Sequence, residues 1–275
     1  MTGPAFRHLQ FDALDSTNAQ ARRQAAAPEF EAGVVGADQQ NIPLWITARS
    51  QTAGRGRRGR DWVSKPGNLF ATLLIRLPVP LTTAAQLSFV ASLAIYDAAA
   101  SLLPASARLE VKWPNDVLLG GQKLAGILIE TVPCANKAYN ALAIGCGVNL
   151  QHAPEETAYG ATWLNAHNNY DNHAKEPVSA EQFFEVLAAK MNIWLNIWQN
   201  GQSFDLIARA WQDRASHIGK IISLSSAHKM TIGKFLRLAS DGALVLELAD
   251  GSQKHFHAGD VSFSQPADNR SHNGQ

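Results

Sequence analysis

The segment that constrains this chain most is SQTAGRGRRGRDW, residues 50–62, in which Gly54, Gly56 and Gly59 are interleaved with Arg55, Arg57, Arg58 and Arg60. A run this polar cannot enter a core, because burying unpaired guanidinium groups costs more than packing returns. Yet two strongly apolar stretches flank it, residues 44–48 and 68–77, which read as buried strands. The fold must therefore carry this loop on the rim of a sheet, pinned at both ends by core strands. Glycines let a backbone approach a ligand closely, and arginines present planar forks matched to phosphate and carboxylate oxygens. A loop so placed is expected to act as a lid over an anion. No GKS or GKT follows the glycines, so the P-loop pattern is absent. Read alone, the segment says only anion, and an exposed basic loop or nucleic-acid tether stays open.

Charge placement narrows the anion. The chain has 24 Lys plus Arg against 23 Asp plus Glu, a formal net charge of +1. Residues 49–65 hold six basic groups and only Asp61 as acid, so this segment carries +5 and the rest of the chain −4. A nucleic-acid module would spread basic charge over a whole face; here the positive charge is confined to one place. The 46% hydrophobic content excludes a disordered chain. A length of 275 residues allows one large domain, or a large domain with a small one. Two cysteines, Cys134 and Cys146, are too few for a disulfide framework or a thiolate metal site. The nine histidines show no metal-ligand spacing. The N-terminal MTGPAFRHLQ lacks a signal peptide's apolar core. Residues 87–103, the most apolar long stretch, are interrupted by Ser88, Ser92, Asp97 and Ser101, and so read as a buried amphipathic helix, not a membrane span. A cytoplasmic protein with no membrane partner is expected.

Organisation follows from periodicity and turn residues. Residues 9–14 alternate weakly and end in DSTN, where Ser16 or Thr17 can cap a helix that Pro28 and the glycines at 33 and 36 would end. A long helix spans about residues 83–103. Residues 109–113, 117–119 and 123–131 suggest a hairpin, and 138–149 a further strand. A polar surface loop at 168–177 precedes two helices, near 179–200 and 203–215. Strands clustered with long helices argue α+β over a doubly wound parallel sheet. Beyond Gly219 short strands at 220–224, 230–239, 243–248 and 253–257 alternate with Asp-Gly turns, the texture of a small barrel. The expected division is residues 1–216 as the large domain, 217–265 as the barrel, and 266–275 as a disordered tail.

A second constellation lies in VKWPNDVLLGGQKLAGILIE, residues 111–130. Pro114 ends one strand, and Asn115 and Asp116 begin the next. Lys112 and Lys123 are expected on neighbouring strands, with ammonium groups able to converge on one ligand. Charges within an apolar hairpin are costly unless paired or matched to an anion. A purely structural Lys112–Asp116 pair, with Lys123 solvated, is equally compatible with the residues. Gly126, Gly145 and Gly147 leave strand positions without side chains, which together favour a shallow ligand slot.

In order along the chain, DSTN, SQTAGRGRRGRDW, VKWPND, KLAGILIE and IGCGVNL resemble the biotin–protein ligase family from about residue 10 to residue 260. The resemblance implies a mixed β-sheet with packed helices and a small C-terminal SH3-like β-barrel. It implies a two-step reaction: biotin and Mg·ATP give biotinyl-5′-AMP and pyrophosphate, and a lysine of a biotin carboxyl carrier protein then attacks the adenylate. It assigns Ser16, Thr17, Asn18, Gln51, Gly54, Arg55, Arg57, Lys123 and Gly126 to biotin. Arg58, Arg60, Lys112, Asn115, Asp116, Asn149 and Trp163 fall to ATP or the adenylate, with Trp163 stacking on adenine. Catalysis would rest on Lys123, Arg57, Asp116 and Lys112. Lys123 would bridge the biotin carboxylate and α-phosphate, and Asp116 would orient or deprotonate the acceptor lysine. No protein metal site is implied; Mg²⁺ would arrive with ATP. Only 14 residues precede Asp15, too few for the helix-turn-helix domain of repressor-type members, so no DNA binding is expected. Monomer and weak homodimer both remain compatible. A lipoate or octanoate ligase or transferase of the same superfamily is the nearest rival, and is expected to lack the GRGRRG run and KWPND.

Overall fold

A computed structural model of the chain describes residues 6–26, 43–134, 138–155, 160–168, 176–226 and 229–262. The chain divides into two compact units, Met1–Ala215 and Ser216–Gln275. Residues 27–42, where the first helix was expected to end, the core of the 168–177 loop and the tail at 266–275 lie outside the described residues.

The first unit runs β1 (Arg7–Leu14), α1 (Thr17–Ala26), β2 (Leu44–Gln51), β3 (Leu69–Leu77), α2 (Leu81–Ala84), α3 (Leu87–Leu102), β4 (Leu109–Lys112), β5 (Asp116–Leu119), β6 (Gln122–Val132), β7 (Asn140–Val148), α4 (Ala180–Trp198) and α5 (Phe204–Gln212). Its seven strands form one sheet in the order β1-β2-β3-β7-β6-β5-β4. Only β1 and β2 pair in parallel, which makes the sheet mixed. The Gly-Arg run joins β2 to β3, two antiparallel neighbours, so its ends are fixed as the flanking apolar stretches require.

Residues that alternate along β7 explain why helices lie on both faces. Ala141 and Ala143 share a face with Gly145 and Gly147. These small residues let α1 settle close, with Ala21 packed among Leu44, Ile46, Leu74, Ala141 and Ala143. On the opposite face Trp45 of β2 meets Phe184 of α4 edge-on at 5.5 Å, and α3 packs under α4 and α5. Helix α3 is the greater part of a stretch, Leu81–Leu102, that is long and apolar enough to cross a membrane by length and composition. Ten of its sixteen residues are buried within the fold, so it is buried nearly all round and not on one amphipathic face. Its polar interruptions have structural partners: Trp211 Nε1 donates to Ser92 Oγ (3.1 Å), Trp194 Nε1 to Asp97 Oδ2 (2.9 Å), and Ser88 Oγ to the Pro114 carbonyl (2.7 Å). The polar groups of this apolar helix are thus satisfied at those three positions.

Strands β4, β5 and β6 form a three-stranded meander, not a single hairpin. The expectation that Lys112 and Lys123 sit on neighbouring strands is therefore corrected. They lie on β4 and β6, and β5 runs between them, because 116–119 forms a strand of its own before the Gly120–Gly121 turn, where both glycines have positive φ (61° and 81°).

The second unit is a five-stranded antiparallel sheet of β8 (Ile221–Ser226), β9 (Lys229–Leu238), β10 (Leu244–Glu247), β11 (Gln253–Phe256) and β12 (Asp260–Ser262), ordered β11-β10-β9-β8-β12. Asp241 and Asp250 accept the backbone N–H two residues on, at 3.0 and 2.9 Å, which builds the two Asp-Gly turns. The sequence reading had no β12, since three residues give no readable alternation.

Candidate active site

The register of the large sheet sets the site. Gly147 lies between Phe70 of β3 and Gly126 of β6, and Gly126 lies beside Asp116 of β5. The indole of Trp62 rests on this pair of glycines. A Cβ on Gly147 would stand 2.5 Å from Trp62 Cε2, and one on Gly126 would stand 3.0 Å from Cζ3. The absent side chains are thus what admits the ring. Here the structure has a cavity of about 370 Å³, within the roughly 300–1,000 Å³ span of small-molecule sites.

Lys123 enters the cavity wall from β6. Its Nζ stands 2.7 Å from Asp116 Oδ1 and 5.4 Å from the centre of the Trp62 ring. Asp116 is its ion-pair partner, and Lys112 is buried opposite Asp116 in the β4–β5 register. The ammonium is held by a carboxylate on one side and an aromatic face on the other, an arrangement that aims a point charge.

Residues 54–62 fold as a small hairpin. Trp62 N donates to the Gly54 carbonyl (2.9 Å), Gly56 N to the Arg60 carbonyl (2.6 Å), and the tip turns through Arg58 (φ 57°) and Gly59 (φ 72°). Besides the Trp62 indole, Arg57 and Arg55 reach from it toward the sheet. Arg57 Nη1 donates to Asn115 Oδ1 (2.8 Å) and Arg55 Nη2 to Glu130 Oε2 (3.0 Å). Asn115 is itself fixed by donating to the Ile127 carbonyl (2.8 Å).

Facing the hairpin is the turn that begins α1. Asp15 accepts Ser16 N (2.8 Å) and both Arg23 amino groups (2.7 and 2.9 Å). The hydrogen-bonded Arg23 guanidinium holds its carboxyl down at about 2. Thr17 N and Oγ1 both donate to Gln51 Oε1 (2.8 and 3.2 Å), Gln51 Nε2 donates to Ser64 Oγ (2.8 Å), and Ser64 Oγ donates to the Trp62 carbonyl (2.8 Å). Turn and hairpin are therefore joined by one directed chain of hydrogen bonds. Among the described residues the Ser16 hydroxyl makes no hydrogen bond and lines the cavity.

Of the residues singled out from sequence, Ser16, Thr17, Asn18, Gln51, Arg55, Arg57, Arg60, Asn115, Lys123, Gly126 and Asn149 line one cavity. Gly54, Lys112 and Asp116 support it from behind: Gly54 is packed against Ser64 Oγ and the Trp62 carbonyl. Arg58 is exposed at the hairpin tip, and Trp163, 38% exposed, precedes the 3-10 turn Leu164–His167; neither lines the cavity. Asn149 Nδ2 donates to the Thr162 carbonyl (3.1 Å), which ties that segment to the end of β7. Trp62, Ser64 and Glu130 were missed. The glycines signalled a slot, but nothing local in the sequence says what fills it. Cys146 is buried, its thiol pushed up to about 12 by burial, as suits an inert filler. Among the described residues no three His, Cys, Asp or Glu side chains cluster to hold a metal.

The comparisons with known proteins agree with this arrangement. The Biotin/lipoate A/B protein ligase family model matches residues 29–149, and the Biotin protein ligase C terminal domain model matches residues 217–264. A biotin--[acetyl-CoA-carboxylase] ligase of Paracoccus denitrificans is 40% identical over 241 residues, covering 87% of this chain and 93% of that protein. The bifunctional ligase/repressor BirA of Bacillus subtilis is 28% identical over 215 residues, and the match spans 64% of its length. In fold, the chain resembles the biotin protein ligase from Aquifex aeolicus in complex with biotin and ATP, with a TM-score of 0.72, 22% identity, and coverage of 93% of this chain and 97% of that one. With the glycine floor, the Lys123–Asp116 pair and the arginine hairpin gathered in one cavity, this chain belongs to the biotin/lipoate protein ligase family, among its biotin protein ligases.

Proposed function

We propose that this protein is a cytoplasmic, ATP-dependent ligase that activates biotin as biotinyl-5′-AMP and transfers it to a lysine of a biotin carboxyl carrier protein. The observation that carries the reading is Lys123, a cation steered by Asp116 and Trp62 into a cavity whose other wall is the Arg55–Arg60 hairpin.

Biotin's carboxylate must approach the α-phosphorus of a polyanion. Lys123 on the floor side and Arg57 and Arg60 on the hairpin side neutralise that repulsion and stabilise charge as the P–O bond to pyrophosphate breaks. The Ser16 hydroxyl and Thr17 turn offer partners to the ureido ring, whose donors and acceptor share one edge. The donor set suits a Mg²⁺ carried in on the triphosphate, with Asp61 of the cavity wall the carboxylate able to hold it, since such ions keep substrate phosphates among their ligands. That ion would supply further charge neutralisation at the phosphates. The product is a mixed anhydride, and the folded hairpin excludes water from it until the acceptor amine arrives. Asp116, paired with Lys123, orients that ammonium; the acceptor lysine attacks as the neutral amine, its N–C bond forming as the C–O bond to AMP breaks, and its proton then leaves to solvent.

Biotin-dependent exchange between pyrophosphate and ATP tests the first step, and label transfer to a carrier domain tests the second. Exchange that depends on lipoate or octanoate and ignores biotin would refute the assignment.

A further inference from the structure

Asn18, which the family resemblance assigns to biotin and which lines the cavity, has its amide held by three hydrogen bonds within the protein. Thr72 Oγ1 donates to Asn18 Oδ1 (2.7 Å), while Asn18 Nδ2 donates to the Leu128 carbonyl (3.3 Å) and to Glu130 Oε2 (2.8 Å). Asn18 and Thr72 are both buried. Gly145 makes room for this amide, since a Cβ there would stand 2.5 Å from Asn18 Oδ1. The carboxylate that receives Asn18 also receives Arg55: one oxygen, Oε2, accepts from both, at 2.8 and 3.0 Å. Glu130 thus joins the turn that begins α1 to the entrance strand of the arginine hairpin, some seventy-five residues from Arg55 in sequence.

We propose that Glu130 is the positioning residue that latches the hairpin to the biotin turn. The inference rests on the biotin ligase reading and deepens it. Ser16 and Thr17 face the cavity, whereas Asn18, next in the chain, points its amide at the sheet and fixes the carboxylate. The fixed carboxylate then holds Arg55, and with it the hairpin strand that carries Arg57 over the cavity. The hairpin's exit strand has a different tie, through Ser64 and Gln51 to Thr17. Both strands of the lid are therefore referred to the same three-residue turn. A ligand seated on that turn stabilises the closed hairpin without touching Glu130, and loss of the carboxylate loosens the lid while the reacting groups stay in place.

The test is the rate at which preformed biotinyl-5′-AMP leaves the protein, read beside biotin-dependent pyrophosphate exchange. Glu130→Gln keeps the shape and removes the charge. Release should quicken about fivefold, the upper end for one half-exposed ion pair, with exchange at saturating biotin and ATP within about twofold of wild type. Wild-type release should quicken with added salt, which screens the pair, and the variant's should lose that part of its salt dependence. In release alone, Glu130→Gln should add nothing in an Arg55→Gln background, because both remove one link; Arg55 itself lines the cavity, so its exchange rate is not part of the comparison. A merely structural role would instead lower thermal stability and exchange together and leave the salt dependence unchanged. Additive effects of the two substitutions, or wild-type release from Glu130→Gln with exchange intact, would overturn the latch alone. Absence of biotin-dependent exchange in the wild type would sink the ligase reading, and the latch with it.

Discussion

Gly147→Ala is the substitution whose effect the geometry fixes most tightly. The added Cβ would lie 2.5 Å from Trp62 Cε2 and 2.6 Å from Nε1. Carbon atoms in contact rest about 3.5–4.0 Å apart, so the indole must move by roughly 1 Å. Overpacking of this kind costs about 1–3 kcal/mol. The strand cannot yield, because Gly147 is paired on both sides, with Phe70 and Gly126. The hairpin can. The strain should therefore fall on the closed position of Trp62 and the Lys123 ammonium beneath it, not on the sheet. At about 1.4 kcal/mol per decade, formation of the adenylate should drop about five- to hundredfold, while the melting temperature moves by less than about 3 °C. Biotin-dependent pyrophosphate exchange and calorimetry on the same sample separate the two quantities. Wild-type exchange would show that Trp62 need not lie on the floor during the reaction. A large loss of melting temperature in step with activity would show that the strain enters the core, and the reasoning about which part yields would fail.

Other expectations follow from the same contacts. Lys123→Ala should nearly abolish exchange while circular dichroism stays native, and a wild-type rate would refute its place at the carboxylate and α-phosphate. Arg57→Ala removes the hydrogen bond to Asn115; the adenylate should escape and label lysines of bystander proteins, and retention of tightly held adenylate would contradict this. Asp15 is held at about 2, below its ordinary 3.8, by Arg23. A depressed carboxyl stabilises the fold above its unfolded value, so that contribution should fade as pH falls from 3.8 towards 2 and be absent from Asp15→Asn. Its size should be small, because the pair is about half exposed. An acid-unfolding difference between the two proteins that persists below that window would refute the assignment. Cys146, with its thiol near 12, should resist alkylation at neutral pH until the protein unfolds; modification of the native protein at that position, mapped by mass spectrometry, would overturn it.

What could be read from sequence was what local chemistry determines. Apolar runs of strand length on either side of the Gly-Arg segment placed β2 and β3, and Asp-Gly dipeptides placed the turns of the second unit. The polar interruptions of residues 87–103 argued correctly for a buried helix, but their partners were out of reach. Ser92 and Asp97 receive tryptophan N–H groups from about a hundred residues away. The same limit misplaced the two lysines. The segments 109–113, 117–119 and 123–131 are legible, but apolar content does not say that each pairs with the next in turn; that order puts β5 between Lys112 and Lys123 and brings Asp116 beside Lys123.

The site itself divides along the same line. Residues that make the chemistry possible are unusual by type, so arginines among glycines and lysines inside an apolar meander stand out in any reading. Residues that hold them are ordinary. A serine at 64, a glutamate at 130 and a tryptophan at 62 have no local signature; each is defined by what lies opposite it in the sheet register. The glycines occupy a middle position. Gly126, Gly145 and Gly147 announced that something approaches the sheet closely, but a missing side chain specifies a volume and not its occupant. Two of those volumes belong to the ring of Trp62, and the third, at Gly145, belongs to Asn18. Thus the slot read from the glycines is in part filled by the protein's own side chains, which come from the hairpin and the turn. The cavity left over is shaped by how those two elements are tied together. Its geometry depends less on the strands that form its floor than on the Glu130 and Ser64 links that set where the roof can rest.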